Sequence, residues 1–390
     1  MRWLAVVTVL CAAAAAGRAQ EPAAAEPSGP AEAPEARPAA PEAPPAPWTL
    51  GGSLLLQPLA SFASTFSYGS SSTLSLDFKA GGGRARAEAS VEAAVFTGAS
   101  AALAWAVAAT PFGRLDELLL PAPPGSGDVA LAARVRTLYG KLDLDWMSLT
   151  LGRQVVNYAR GTLWSPTDVF TELDLSGISP VRRGTDAVRA TVPLGQTAGF
   201  DLVAAPTLVP ADGRYSARAN ALIADALDGA VVAARDGAEK GWVFGTDFKT
   251  DVEVGLTGEA VYFQPDAGGR GWVRAAAGVD WSTGDFILAA EYYYNGGGAS
   301  ADLLFPGTHN AYASVTWTPS ELVQATLSVI ADVEQATGTG TLLVQVSAAQ
   351  NANVTAFLQA GNGGDGYGIS YGVNGAEWTA QAGVGLEVKF

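Results

Sequence analysis

The sequence is most informative at first through what it lacks. It has one cysteine, Cys11, and one histidine, His309, in 390 residues. Cys11 lies in an N-terminal leader, so the mature chain is expected to carry no thiol. That excludes disulfides, thiolate nucleophiles and Cys/His metal sites. Basic residues are also scarce, at 23 Lys and Arg against 38 Asp and Glu. A net charge of −15 repels nucleic acid. Beyond the first residues no apolar run reaches the roughly 18 positions of a spanning helix. Yet 48% of residues are hydrophobic and only 16% are charged. An apolar chain without spanning helices is either a compact α/β enzyme or a barrel. The 46 glycines and ten scattered tryptophans favour the barrel.

Residues 1–19 read as a signal peptide. Arg2 gives the positive start, Trp3 to Ala16 the apolar centre, and Gly17-Arg18-Ala19 the small residues before cleavage. Cleavage removes Arg2 and Arg18 and no acid, which leaves 21 bases, 38 acids and a charge of −17. Residues 20–47 are almost wholly Ala, Pro and Glu, with nine prolines. Such a segment cannot bury a core and is expected to be a disordered periplasmic tether.

From Trp48 onward the pattern has period 2, the signature of strands with one apolar and one polar face. The last strand is the clearest case. Trp378, Ala380, Ala382, Val384, Leu386, Val388 and Phe390 share one face, and Thr379, Gln381, Gly383, Gly385, Glu387 and Lys389 the other. Connections alternate between tight Gly-, Asp- or Pro-bearing turns and longer loops, as in outer-membrane barrels. The segments expected as strands are about 50–57, 73–80, 84–96, 131–145, 147–157, 184–194, 198–206, 242–249, 251–264, 270–282, 284–295, 308–318, 321–333, 340–349, 352–361 and 376–390. The expectation is therefore an all-β, transmembrane, antiparallel up-and-down β-barrel over 48–390, with sixteen strands. Eighteen is the alternative, formed with 99–109 and part of 212–235. Residues 212–234 also read as a helical insert in a loop over 207–241, and 58–72 as a long outer loop. An even count places both barrel ends on the periplasmic side. A barrel of this size encloses an aqueous lumen.

No nucleophile motif accompanies His309, which reads as a surface histidine. No enzymatic activity, cofactor or metal is expected. The most specific stretch is Gly152-Arg153-Gln154 at a strand end, then a loop with Trp164 and Pro166-Thr167-Asp168, then Arg182-Arg183-Gly184 opening the next strand. It resembles the alginate-export and carbohydrate-porin-like barrel families of Gram-negative outer membranes. There a glycine-arginine-glutamine strand end precedes a loop with a proline-x-aspartate element. The resemblance covers about 131–200. Where many relatives continue with tryptophan-glycine, this chain has Asn157-Tyr158-Ala159-Arg160-Gly161. It implies a porin-like barrel but not a solute.

Arg153, Arg160, Arg182 and Arg183 cluster in sequence with Asp168, Glu172 and Asp174. If this loop folds inward, arginines and acids face each other and form a constriction. Otherwise they pair and pin the loop. Strand parity turns Arg84, Arg86, Glu88, Glu92, Arg189, Glu259, Arg274, Asp280 and Glu291 toward the lumen. Inward acids outnumber inward bases, which predicts a mild cation preference. Tyr293 and Tyr312 are candidate stacking surfaces for saccharides. Trp378 and Phe390 resemble the C-terminal signal that barrel-assembly machinery reads. The leading functional reading is a passive channel for small polar solutes in the outer membrane, contacting lipid and no nucleic acid. The alternative is a surface-structural or adhesion barrel with a plugged lumen. Nothing in the sequence gives the oligomeric state.

Overall fold

The computed structural model describes residues 48–62, 65–101, 117–120, 128–170, 173–174, 181–224, 226–298, 302, 305, 307–362 and 378–390. The leader and tether lie outside these residues. Ala46–Phe390 forms one compact unit.

Eighteen antiparallel strands make the wall. They are β1 (Trp48–Phe62), β2 (Phe66–Gly82), β3 (Ala85–Gly98), β4 (Val129–Asp143), β5 (Ser148–Gln154), β6 (Thr185–Leu194), β7 (Ala198–Ala205), β8 (Arg214–Ile223), β9 (Leu227–Asp236), β10 (Gly241–Asp251), β11 (Gly255–Pro265), β12 (Trp272–Thr283), β13 (Phe286–Asn295), β14 (His309–Ser320), β15 (Val323–Asp332), β16 (Thr337–Ala349), β17 (Ala352–Asn362) and β18 (Thr379–Lys389). Each pairs with its sequence neighbours, and β1 pairs with β18, so the sheet closes. Closure removes the free edges that an open sheet of this size would expose. At the seam Gly52 and Phe390 exchange two backbone hydrogen bonds, both 3.0 Å.

All sixteen expected strands are present, but the wall holds eighteen, as the alternative had it. The extra pair is β8 and β9, joined in register from Arg214↔Asp236 to Ile223↔Leu227. They occupy the segment read as a helical insert. The cause is compositional: Ala217, Ala219 and Ala221 supply the outward face of β8. Alanine marks an apolar face only weakly, so the alternation with Ser216, Arg218 and Asn220 is easily missed. The 99–109 segment adds no wall strand in its described part, residues 99–101, and its remainder lies outside the described residues. The long loop expected at 58–72 is instead strand on both sides, with β1 and β2 in register from Trp48↔Ala80 to Phe62↔Phe66. Pro58 suggested a break. It sits in the gap of the β1–β18 ladder between Leu56↔Leu386 and Leu59↔Gly383, where the missing N–H costs little.

The outward face is apolar. Leu54, Leu56, Phe244, Val279, Leu327, Leu358, Val384 and Leu386 are all exposed there. Aromatics gather near both ends. Phe286 stacks on Trp317 beside the short turns, and Trp242 on Phe244 beside the long connections. This is the girdled apolar band of a membrane-spanning barrel. The inward face carries buried charge instead, including Glu92, Asp201, Asp247, Glu259, Arg274 and Glu291.

Candidate functional site: a loop clamped inside the lumen

β5 has seven residues and hands the chain to the segment 155–184, which returns at β6. Residues 155–170 turn into the lumen and are held by carboxylates of the wall. Glu259 of β11 accepts hydrogen bonds from the backbone N–H groups of Arg160 (2.6 Å), Gly161 (3.1 Å) and Thr167 (3.2 Å). It also accepts from the hydroxyls of Ser165 (2.9 Å) and Thr167 (2.7 Å). Glu291 of β13 accepts from the N–H groups of Thr162 (2.8 Å), Leu163 (3.0 Å) and Trp164 (2.7 Å). A carboxylate is the natural partner here because it is acceptor-only and can take several donors at once. Gly161 is required by the close approach: a Cβ there would stand 2.8 Å from Glu291 Oε1 and 2.3 Å from Trp164 O.

Arg160 completes the clamp. Its guanidinium donates to both oxygens of Asp228 (2.6 and 2.8 Å) and to Asp247 (2.9 Å), which Arg218 also meets at 2.7 Å. Asp247 is fully buried and meets both arginines.

Apolar packing does the rest. Val156, Tyr158, Val169 and Phe170 form a buried cluster with Val203, Val232, Val243, Val261 and Phe263, which point into the lumen from the four strands β7, β9, β10 and β11. Tyr158 also bonds Ser216 at 3.0 Å and lies under the Arg218 guanidinium at 5.1 Å. Trp164 stacks on Tyr293 at 5.4 Å and meets Phe305 and Tyr312 edge-on. Tyr293 and Tyr312 therefore face the loop, which removes them as stacking surfaces for a solute.

The sequence candidates divide accordingly. Arg160 joins Asp247, Glu259 and Glu291 in the clamp. Asp168 and Arg182 pair at 3.1 Å within the loop, with Arg183 next along the chain. Arg153 does not belong to the lumen. It shares the outward face of β5 with exposed Leu151 and pairs with Asp186 of β6 at 2.5 Å. The physical reason is parity: Gln154, not Arg153, occupies the inward position. Asp174 lies in a two-residue ladder with Val181, and its side chain, like all of Glu172, is outside the described residues.

Among the lumen candidates, Glu92 is met by two arginines. A bulge between Ser90 and Val91 shifts the β3–β4 register, and Arg134 and Arg136 both reach its carboxylate, the latter at 3.1 Å. Arg189 pairs with Asp201 at 2.5 Å. Arg274 pairs with Glu239 at 3.2 Å; burial pushes the Glu239 carboxyl above the ordinary range, against the pull of Arg274. Arg86 lies 3.7 Å from Asp143, and Arg84 pairs with Asp145 at the turn rim. Glu88 lies opposite Tyr139, and Asp280 opposite Gly255. Sequence reasoning missed Asp201, Asp228, Arg134, Arg136 and Arg218. Asp201, Asp228 and Arg218 sit at inward register positions, so strand parity was the available signal for them. Arg136 is the extra residue of the β3–β4 bulge, which also switches the strand's parity and so turns Arg134 inward. His309, on the outward side at the long-loop end, contacts Tyr292 at 2.5 Å and Glu334 at 3.7 Å.

Beside the clamped loop a cavity of about 570 Å³ remains. Lys79, Asp77, Glu88, Arg136 and Thr137 line it from β2 to β4, and Val155 and Arg182 from the loop.

A closed eighteen-strand barrel with an apolar band outside, charge inside and a loop folded across the lumen is the architecture of an outer-membrane porin. Solved barrels of that kind match it. OccAB4 of Acinetobacter baumannii aligns with a TM-score of 0.56 at 9% identity, over 87% of this chain and 98% of that one. OprD of Pseudomonas aeruginosa aligns at 0.55 and 8%, over 88% and 93%. OpdK of Pseudomonas aeruginosa, in a structure with vanillate, aligns at 0.54 and 9%, over 87% and 98%. No protein-family model matches the sequence. No curated protein matches it either. At these identities the likeness is one of fold.

Proposed function

We propose that the protein is a porin-like channel through which small polar solutes diffuse across the outer membrane. It has no catalytic role in this reading. The observation that carries it is the clamp: eight hydrogen bonds to Glu259 and Glu291 hold a loop inside the lumen. A passive plug could be packed by apolar contact alone. A ledge anchored on one side of the wall narrows a passage and leaves space beside it, as the neighbouring cavity does.

The rest of the reading follows from sequence and position. Residues 1–19 are the export signal, 20–47 a periplasmic tether, and Trp378 and Phe390 the assembly signal. Cation preference is weaker than the count of inward acids implies, because Asp247, Glu259 and Glu291 are engaged by the loop. Arg136 and Arg182 face the open cavity. Uncharged solutes, saccharides included, fit a lumen of this mixed charge.

Single-channel recording of the purified protein in planar bilayers tests the proposal. A steady ohmic conductance with a small cation bias in a salt gradient is expected. Folded protein without conductance would favour the plugged adhesion barrel.

A further inference from the structure

The inward face is chemically divided. The loop's anchors, Ser216, Asp228, Asp247, Glu259, Glu291 and Tyr312, lie on β8 to β14. From β15 through β18 to β1 the inward positions change character. Charge is confined to the two rims, at Asp332 on one and at Glu387 and Lys389 on the other. Between the rims the strands align three rows.

One row runs Ser328, Thr341, Gln359, Gln381 and Ser61, each directly opposite the next. Gln359 donates to Thr341 at 3.2 Å, and Ser61 meets Ser67 of β2 at 2.6 Å. The next row is Leu343, Phe357, Gly383 and Leu59, again directly opposite one another. The third carries Gln345, Thr355 and, on β1, Gln57. A flat apolar strip is thus bracketed by hydroxyls and carboxamides.

Gly383 is what flattens the strip. A Cβ there would stand 2.4 Å from Phe357 Cε1 and 2.9 Å from Cζ, so the ring occupies the space that only glycine leaves open.

Resting on the channel reading above, we propose that Phe357, with Leu343 and Leu59, is a stacking platform for uncharged polyhydroxylated solutes, that is, sugars. A pyranose ring has an apolar C–H face and a rim of hydroxyls. The strip takes the face, and the flanking Gln, Thr and Ser side chains take the rim, each offering both donor and acceptor. A charged solute finds no opposite charge in these rows to replace its hydration and gains nothing from them. This platform is distinct from Tyr293 and Tyr312, which the loop occupies.

Ion current through the full-length protein in planar bilayers, titrated with maltose to maltohexaose, tests the assignment. The current should fall saturably with sugar. Phe357→Ala should raise the half-blocking concentration about tenfold, a loss of about 1.4 kcal/mol. Phe357→Tyr should keep the block, and Gln359→Leu should weaken it. The last two decide the matter if Phe357→Ala fails to assemble. Ion current without saturable block, or identical block in wild type, Phe357→Ala and Gln359→Leu, overturns the platform and leaves the channel standing. Barrel-folded protein without any ion current overturns both.

Discussion

Replacing both clamp carboxylates, Glu259→Ala with Glu291→Ala, should release the lumen loop while the wall stays folded. Ordering a backbone costs about 1–2 kcal/mol per residue, so the sixteen residues 155–170 cost roughly 16–32 kcal/mol. Two terms oppose that cost. Hydrogen bonds to a charged group are worth about 1.5–3 kcal/mol each, so the eight clamp bonds supply roughly 12–24 kcal/mol. Burial of Val156, Tyr158, Leu163, Trp164, Val169 and Phe170 supplies about 1.5–3 kcal/mol each, or roughly 9–18 kcal/mol. Together the two terms exceed the entropy by about 5–10 kcal/mol. Packing with the three remaining Arg160 bonds, roughly 4.5–9 kcal/mol more, still falls short of it, so the double variant should melt the loop.

The consequence for the pore can be sized. Eighteen strands about 4.8 Å apart and tilted near 40° close at a backbone radius of roughly 18 Å. Inward side chains reduce the lumen to a radius of roughly 13 Å, and one packed layer about 10 Å deep over part of the wall fills about half of that area. The assay is single-channel conductance beside a gel showing the heat-modifiable folded barrel. A rise of about twofold with added flicker noise is expected. Unchanged conductance and noise in the folded double variant would refute the view that these carboxylates hold the constriction.

Three further outcomes follow from the same structure. Deleting Phe390 removes both seam bonds to Gly52, worth about 0.5–1.5 kcal/mol each, and should lower the urea midpoint and slow assembly into vesicles. Leu327→Arg, on the lipid face of β15, should cost about 2–4 kcal/mol near the bilayer centre, measured by folding titration, whereas Ser328→Arg on the inward face should assemble normally. The Glu239 carboxyl is raised in the folded protein, so its contribution favours folding at low pH and is lost as pH rises through the raised value. Glu239→Gln should therefore match wild type at pH 4 in urea unfolding and exceed it at pH 8; the reverse order would contradict burial as the dominant influence on this group.

The wall was legible because a strand in a membrane barrel obeys one local rule at every position. Lipid on one side and water on the other write a period of two into the sequence, and Trp378 to Phe390 keeps it without exception. Where the rule failed, the letters were weak, not the physics. Alanine on β8 and serine with Pro58 on β1 and β2 satisfy lipid or a ladder gap without announcing an apolar face. The site was legible in part for the same reason. Parity turned Glu259 and Glu291 inward, and the same parity on β5 turns Arg153 outward, although the charge cluster around it had suggested otherwise.

What sequence could not carry is which inward groups meet. Glu259 lies 99 positions from Arg160, and Glu291 lies 127 from Trp164. Their bonds run to backbone N–H groups, which every residue but proline has and no sequence pattern displays. The loop itself betrays no period because it is neither strand nor helix. It is shaped by donors converging on two fixed carboxylates and by Gly161, whose missing Cβ admits them. A wall is therefore encoded locally, and a constriction is encoded in pairs. That division explains why the charged arc of the lumen is largely spent on holding the loop. The uncharged rows around Phe357 remain to meet whatever passes.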